Sequence, residues 1–226
     1  MKRGFYTIMS AQFFSSLADN ALFVAAVELL RTSGAPEWQR AALVPMFALF
    51  YVVLAPFVGA FADALPKGRV MFVSNAIKIV GCLMMLFGSH PLIAYAVVGL
   101  GAAAYSPAKY GILTELLPAS QLVKANGWIE GLTIASIILG VLLGGQLVGH
   151  HLSAALLSID IPMIDFGIHT AAEAAIAALI LVYALAAWFN TRIPHTGVEM
   201  RPLRQHPQRS ILASTLALLP DFWACN

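Results

Sequence analysis

The chain has 226 residues, of which 60% are hydrophobic and 11% charged, and its mean hydropathy is +0.81. Soluble domains carry about 25% charged residues and about 45–50% apolar ones, glycine included, so a soluble enzyme, a disordered chain and a disulfide scaffold are excluded and a membrane protein remains. The net charge of +2 lacks the strong basic excess of a nucleic-acid binder.

A spanning helix needs about 20 mostly apolar residues. Six segments meet that requirement, at roughly 5–30, 41–62, 70–88, 92–114, 122–149 and 166–190. The start, Met1-Lys2-Arg3-Gly4, has the form of a signal-peptide n-region. The stretch after it is longer than a signal core and polar in its middle, at Gln12, Ser15, Ser16, Asp19 and Asn20, so it is read as a retained first span. Punctuation falls between the spans at Ser33-Gly34-Ala35-Pro36, Pro66-Lys67-Gly68, Ser89-His90-Pro91, Pro118-Ala119-Ser120 and Ile193-Pro194. The predicted fold class is an all-α membrane protein, a six-helix bundle over residues 1–191. Residues 192–226 are expected to form a basic cytoplasmic loop with a short interfacial amphipathic helix at Ser210–Pro220, truncated before a seventh span.

Basic residues set orientation through the short loops. Lys2, Arg3, Lys67, Arg69, Lys124, Arg192, Arg201, Arg204 and Arg209 fall on one side, against Arg31 and Arg40 on the other. The 150–165 loop has no Lys or Arg, only His150, His151, Asp160 and Asp165. Both termini are therefore expected in the cytoplasm.

Ionisable groups within the bilayer are costly and usually face a bundle interior or a wet cavity. Span one places Gln12, Ser16 and Asp19 on one stripe, with Asn20 beside it; span three carries Asn75 and Lys78. Span four carries Lys109 just after Pro107, and span six carries Glu173. Span five carries Asn126, Glu130 and Thr133 on a stripe that continues through Gly140 and Gly144, a small-residue contact for a neighbouring helix. Two readings stand side by side: Asp19 or Glu130 neutralises Lys78 or Lys109, or the set lines a polar path.

Catalytic signatures are absent: there is no nucleophile elbow, phosphate-binding glycine loop or His-Glu-x-x-His. Cys82 and Cys225 form neither a metal pattern nor a disulfide framework, and His90, His150, His151 and His169 read as solvated loop residues. No cofactor or metal is implied.

Gly59-Ala-Phe-Ala-Asp63 followed by Lys67-Gly68-Arg69 resembles the signature loop of the major facilitator superfamily, with Ala64 in place of the usual Arg and two extra residues before Gly68. Three stretches resemble the bacterial lysophospholipid transporters within it: Ala11 to Phe23, Gly99 to Leu113 with its Ala-Ala-Ala-Tyr-Ser-Pro-Ala-Lys-Tyr-Gly run, and Leu122 to Glu130. The resemblance implies a flippase of the bacterial inner membrane that carries lysophospholipids such as lysophosphatidylethanolamine to the inner leaflet, for a partner acyltransferase to re-acylate. It implies a transport path through Asp19, Asn20, Lys109 and Glu130, to which the residue pattern adds Lys78 and Asn126, and a cytoplasmic gate at Gly59, Asp63, Lys67, Gly68 and Arg69. In this reading Lys78 or Lys109 meets the lipid phosphate and Asp19 or Glu130 its ammonium. Because the superfamily has twice as many spans, a C-terminal six-span half is the expected partner. The alternatives are a proton-coupled exporter of drugs or organic ions, with Asp19 or Glu130 as proton carrier, and a non-transporting membrane scaffold or subunit.

Overall fold

The computed structural model describes residues 3–55, 65–158 and 168–194. Seven helices are found among the described residues: α1 (Arg3–Thr32), α2 (Glu37–Val53), α3 (Lys67–Leu86), α4 (Pro91–Leu116), α5 (Ala119–Val148), α6 (His150–Leu157) and α7 (Ala171–Thr191). Five of them, α1, α3, α4, α5 and α7, are long and apolar enough to cross a membrane. The second expected span is described only as far as α2 reaches, and its remainder lies outside the described residues, as do Gly59, Asp63, Asp160, Asp165, Cys225 and the segment from 195 onward. The expected outer loop at 150–165 opens with the eight-residue α6, which the sequence reading did not anticipate.

Local chemistry closes the helices where the punctuation predicted. Gly34 (φ 68°) and Gly88 (φ 78°) take the left-handed conformation that ends a helix at low steric cost. The amides just after them, of Ala35 and Ser89, reach back to the carbonyls of Leu30 and Met84 at 3.0 and 2.9 Å. At the start of α7, Thr170 and Glu173 form a reciprocal capping box. Glu173 is thus a helix-end group holding backbone amides, a correction to its reading as a charge within span six.

α1 packs chiefly on α5 and α7, α3 on α4 and α7, and α2 on α4. The stripe on α5 explains the first of these contacts. Gly140 and Gly144 let the α1 backbone approach so closely that side chains there would meet the carbonyls of Leu17 and Ala21. The largest apolar cluster runs between Ala18, Leu22 and Ala25 of α1, Tyr95 and Val98 of α4, and Ile176, Leu179 and Tyr183 of α7. The outward side of α5 is apolar and uncovered, with Ile134, Ile138 and Leu142 more than half exposed.

One end of the bundle gathers the starts of α1, α3 and α5 and the ends of α4 and α7. There Gly4 lies against Pro194, Gly68 against Ile193, and Phe5 joins Leu117 and Ala125. This end holds Lys67, Arg69, Lys124 and Arg192. At the other end Arg31 and Arg40 are each paired within their own helix, to Glu28 and Glu37.

Candidate functional site

The intramembrane charges separate into two groups, one sealed and one open. In the sealed group Lys78 of α3 donates to Asp19 Oδ2 at 2.7 Å and to Ser15 Oγ at 2.9 Å. The Ser15 hydroxyl passes a 2.7 Å bond on to Asn75 Oδ1. Tyr183 of α7 donates to the other oxygen of Asp19, also at 2.7 Å. The Lys78 ammonium further lies 5.3 and 5.6 Å from the ring centres of Tyr105 and Tyr183. Lys78 is almost fully buried and its side chain is 2% exposed, whereas the Asp19 side chain keeps 18%. Removing both charges from water is tolerable only because each carboxylate oxygen and the ammonium find partners.

Why the chain folds so here is local. Asp19 and Ser15 stand one turn apart on α1, and Asn75 and Lys78 nearly one turn apart on α3, so the two pairs meet as a ladder. Gly101 of α4 makes room for the lysine stem, since a Cβ there would stand 2.7 Å from Lys78 Cγ.

The open group lies between α4 and α5. Glu130 is exposed and accepts a 2.6 Å hydrogen bond from the Tyr110 hydroxyl. The Lys109 ammonium sits 4.5 Å over the ring of the same tyrosine. Lys109 is 6% exposed, and among the described residues no carboxylate comes within ion-pairing distance of it. Asn126 is exposed one turn before Glu130.

Other expected site residues fall elsewhere. Asn20 bonds to the Ser16 carbonyl of its own helix at 2.8 Å. Gln12 is buried and reaches Thr133 of α5 at 3.3 Å, so the stripe of α1 is shared between two neighbours. At the basic end Lys67 is buried 3.9 Å from Glu115 at the end of α4, with Gly68 beside it packed on α7 and Arg69 exposed. His90, His150, His151 and His169 are exposed, and no metal-holding cluster of His, Cys, Asp or Glu is found among the described residues.

Sequence reasoning overlooked the tyrosines. Tyr105, Tyr110 and Tyr183 read as apolar bulk in apolar runs, yet two of them hold a carboxylate by the hydroxyl and all three face an ammonium. The available signal was chemical: a buried tyrosine hydroxyl usually has a polar partner.

Residues 8–224 match the sequence profile described as Major Facilitator Superfamily. The chain belongs to that superfamily. Two curated relatives named "Lysophospholipid transporter LplT", from Yersinia enterocolitica (strain NCTC 13174 / 8081) and Yersinia pestis (strain Pestoides F), are each 45% identical over 207 residues. The alignment takes in 89% of this chain and 46% of each relative, so the chain spans about half the length of the curated relatives it matches. Among solved structures it is similar to the inward-facing, unoccupied form of a bacterial homologue of the human lysosomal transporter Spinster. The TM-score is 0.68 at 20% identity, over 99% of this chain and 51% of that one. The superfamily fold thus accounts for the all-α bundle and its membrane-spanning helices, and the chain is a multi-pass membrane protein.

Proposed function

We propose that the chain supplies one six-span half of a transporter that moves lysophospholipids to the inner leaflet of the bacterial inner membrane. The observation that carries this reading is the second charge group: a cation, Lys109, that no carboxylate among the described residues pairs with, beside an exposed carboxylate, Glu130, on a bundle whose flank is apolar. A lysophospholipid combines a charged head with one acyl chain, and these surfaces match both parts. The likeness to the LplT proteins supports the same cargo.

Of the two lysines weighed for the phosphate, Lys109 is favoured, because Lys78 is saturated by Asp19 and Ser15. Asp19 is assigned to holding the bundle centre and, through its exposed fraction, to the wall of the path; Asn20 and Asn126 line the same route. Lys67, Gly68 and Arg69, with Gly59 and Asp63, are assigned to the cytoplasmic gate. The basic end of the bundle faces the cytoplasm in this reading, since Lys and Arg accumulate on that side. Both termini are then cytoplasmic, residues 192–226 form a basic cytoplasmic loop, a second six-span half faces α5, and an acyltransferase takes up the delivered lipid.

The deciding experiment is uptake of labelled lysophosphatidylethanolamine by vesicles containing the full chain and a matching C-terminal half, with and without a proton gradient. Uptake supports the proposal. Movement of organic cations instead, dependent on the gradient, supports the exporter reading, and no movement of either supports a scaffold.

A further inference from the structure

The outward side of α7 carries one continuous stripe. Leu181, Leu185, Trp188 and Arg192 follow one another at about one turn and are all exposed. α7 is long and apolar enough to cross a membrane and closes at Thr191, so the stripe runs from acyl-chain depth to the level of the lipid heads, where tryptophan concentrates. There the Arg192 guanidinium lies 4.8 Å from the centre of the Trp188 ring. That ring is anchored across two helices. Trp188 meets Phe189 edge-on at 5.0 Å, Phe189 stacks on Phe14 of α1 at 5.8 Å, and Phe14 meets Phe13 at 5.5 Å.

The charge on this aromatic platform is not neutralised from within. Arg31 and Arg40, at the other end of the bundle, are each paired with a glutamate, whereas no carboxylate among the described residues pairs with Arg192. Gly68 packs on Ile193, so Arg69, exposed at the start of α3, brings a second guanidinium to the same end. One turn further along α3, Phe72 and Val73 are exposed and offer a second apolar track. A guanidinium that rests its face on a ring keeps its N–H edge for a phosphate. We propose that Trp188 and Arg192 form a binding site for one anionic diacyl phospholipid of the leaflet at the basic end. Its phosphate sits on Arg192, one chain lies along Trp188, Leu185 and Leu181, and the other along α3. This lipid is a boundary ligand and not cargo, so the site goes beyond the transport reading and does not depend on it. An anionic head is preferred because a zwitterionic one brings its own ammonium toward two uncompensated guanidiniums.

Trp188 itself reports the outcome. In the full chain, Trp38→Phe, Trp128→Phe and Trp223→Phe leave it as the sole indole. The protein is placed in phosphatidylcholine vesicles holding equal fractions of chain-brominated phosphatidylglycerol or chain-brominated phosphatidylethanolamine, and quenching gives the relative affinity beside Trp188. Phosphatidylglycerol is expected to bind about five-fold more tightly, the effect of one basic side chain at an anionic surface. Arg192→Gln should bring the ratio near one, and Arg192→Lys should keep part of it, since the charge persists without the fork. Arg192 is exposed, so both variants keep the fold. Equal quenching by the two lipids with Arg192 intact overturns the anionic site, and an undiminished preference in Arg192→Gln overturns the role of Arg192. Arg31→Gln, at the opposite end, should leave the ratio unchanged. A fall there as large as in Arg192→Gln would mean a general surface-charge effect and overturn a localised site.

Discussion

A Cβ placed on Gly140 would stand 2.6 Å from the carbonyl oxygen of Leu17 and 2.9 Å from Asn20 Cβ. Backbone on one side of the contact cannot give way as a flexible side chain would, so α1 and α5 are held at a separation that only glycine permits. Gly145, on the same helix, meets nothing within 4 Å. Gly140→Leu is expected to abolish the folded, monodisperse protein in detergent. Gly145→Ala is expected to stabilise it by about 0.8–1.0 kcal/mol through helix propensity. Size-exclusion profiles and thermal unfolding measure both, and a well-folded Gly140→Leu protein would refute the close approach.

Lys78 serves the fold in this structure. Removing it strands Asp19 with the Tyr183 hydroxyl alone, and breaking a buried pair in this way costs about 3–5 kcal/mol. Lys78→Met should therefore lower thermal stability severely. Lys78→Met combined with Asp19→Asn should recover at least half of the loss, since no unpaired charge remains and the amide still accepts from Tyr183. Losses that simply add in the double variant would show that the two residues act independently.

Lys109, buried but outside that pair, should behave otherwise. Lys109→Ala is expected to reduce lysolipid transport severely while membrane expression stays near normal, because no carboxylate among the described residues pairs with Lys109. Lys109→Arg should keep part of the activity, as charge persists with altered geometry. Asp19→Asn makes the contrast: it weakens the Lys78 contact, so folded yield falls together with transport. Normal transport by Lys109→Ala would leave that lysine as a simple interfacial cation.

Orientation can be read by labelling. In a chain with Cys225→Ser, His151→Cys lies on the exposed side of α6 and should react with an impermeant thiol reagent in intact cells. Lys124→Cys, exposed at the start of α5, should not. Ser153 would be a poor reporter, since it is buried with its hydroxyl turned to the His150 carbonyl. Protection of His151→Cys and reaction of Lys124→Cys would invert the topology and remove the gate assignment with it.

The spans were legible because bilayer thickness imposes a length and a composition that survive in any window of the sequence. The Gly140 and Gly144 contact was legible for a related reason: small residues four apart on an apolar helix have few other uses. The fate of each charge was not. Asp19 and Lys78 lie 59 residues apart, and nothing in their spacing says whether Asp19 meets Lys78 or Lys109. Only the tertiary arrangement, in which α1 and α3 both pack on α7 and their side chains meet beside it, decides it. Glu173 misled because apolar sequence continues through it, while its role depends on Thr170 three residues earlier, a capping signature present in the sequence but given less weight than hydropathy.

The sealed pair also has a consequence for biosynthesis. Asp19 leaves the ribosome 59 residues ahead of Lys78 and 164 ahead of Tyr183. The first helix therefore meets the bilayer with a carboxylate that has none of its final partners, at a cost of about 2.5–3.5 kcal/mol for a charge at mid-membrane. Its apolar flanks offset that penalty, but the lowest-energy course keeps α1 beside the insertion machinery until α3 emerges. α1 and α3 then enter lipid together, and α7 locks them when its tyrosine arrives.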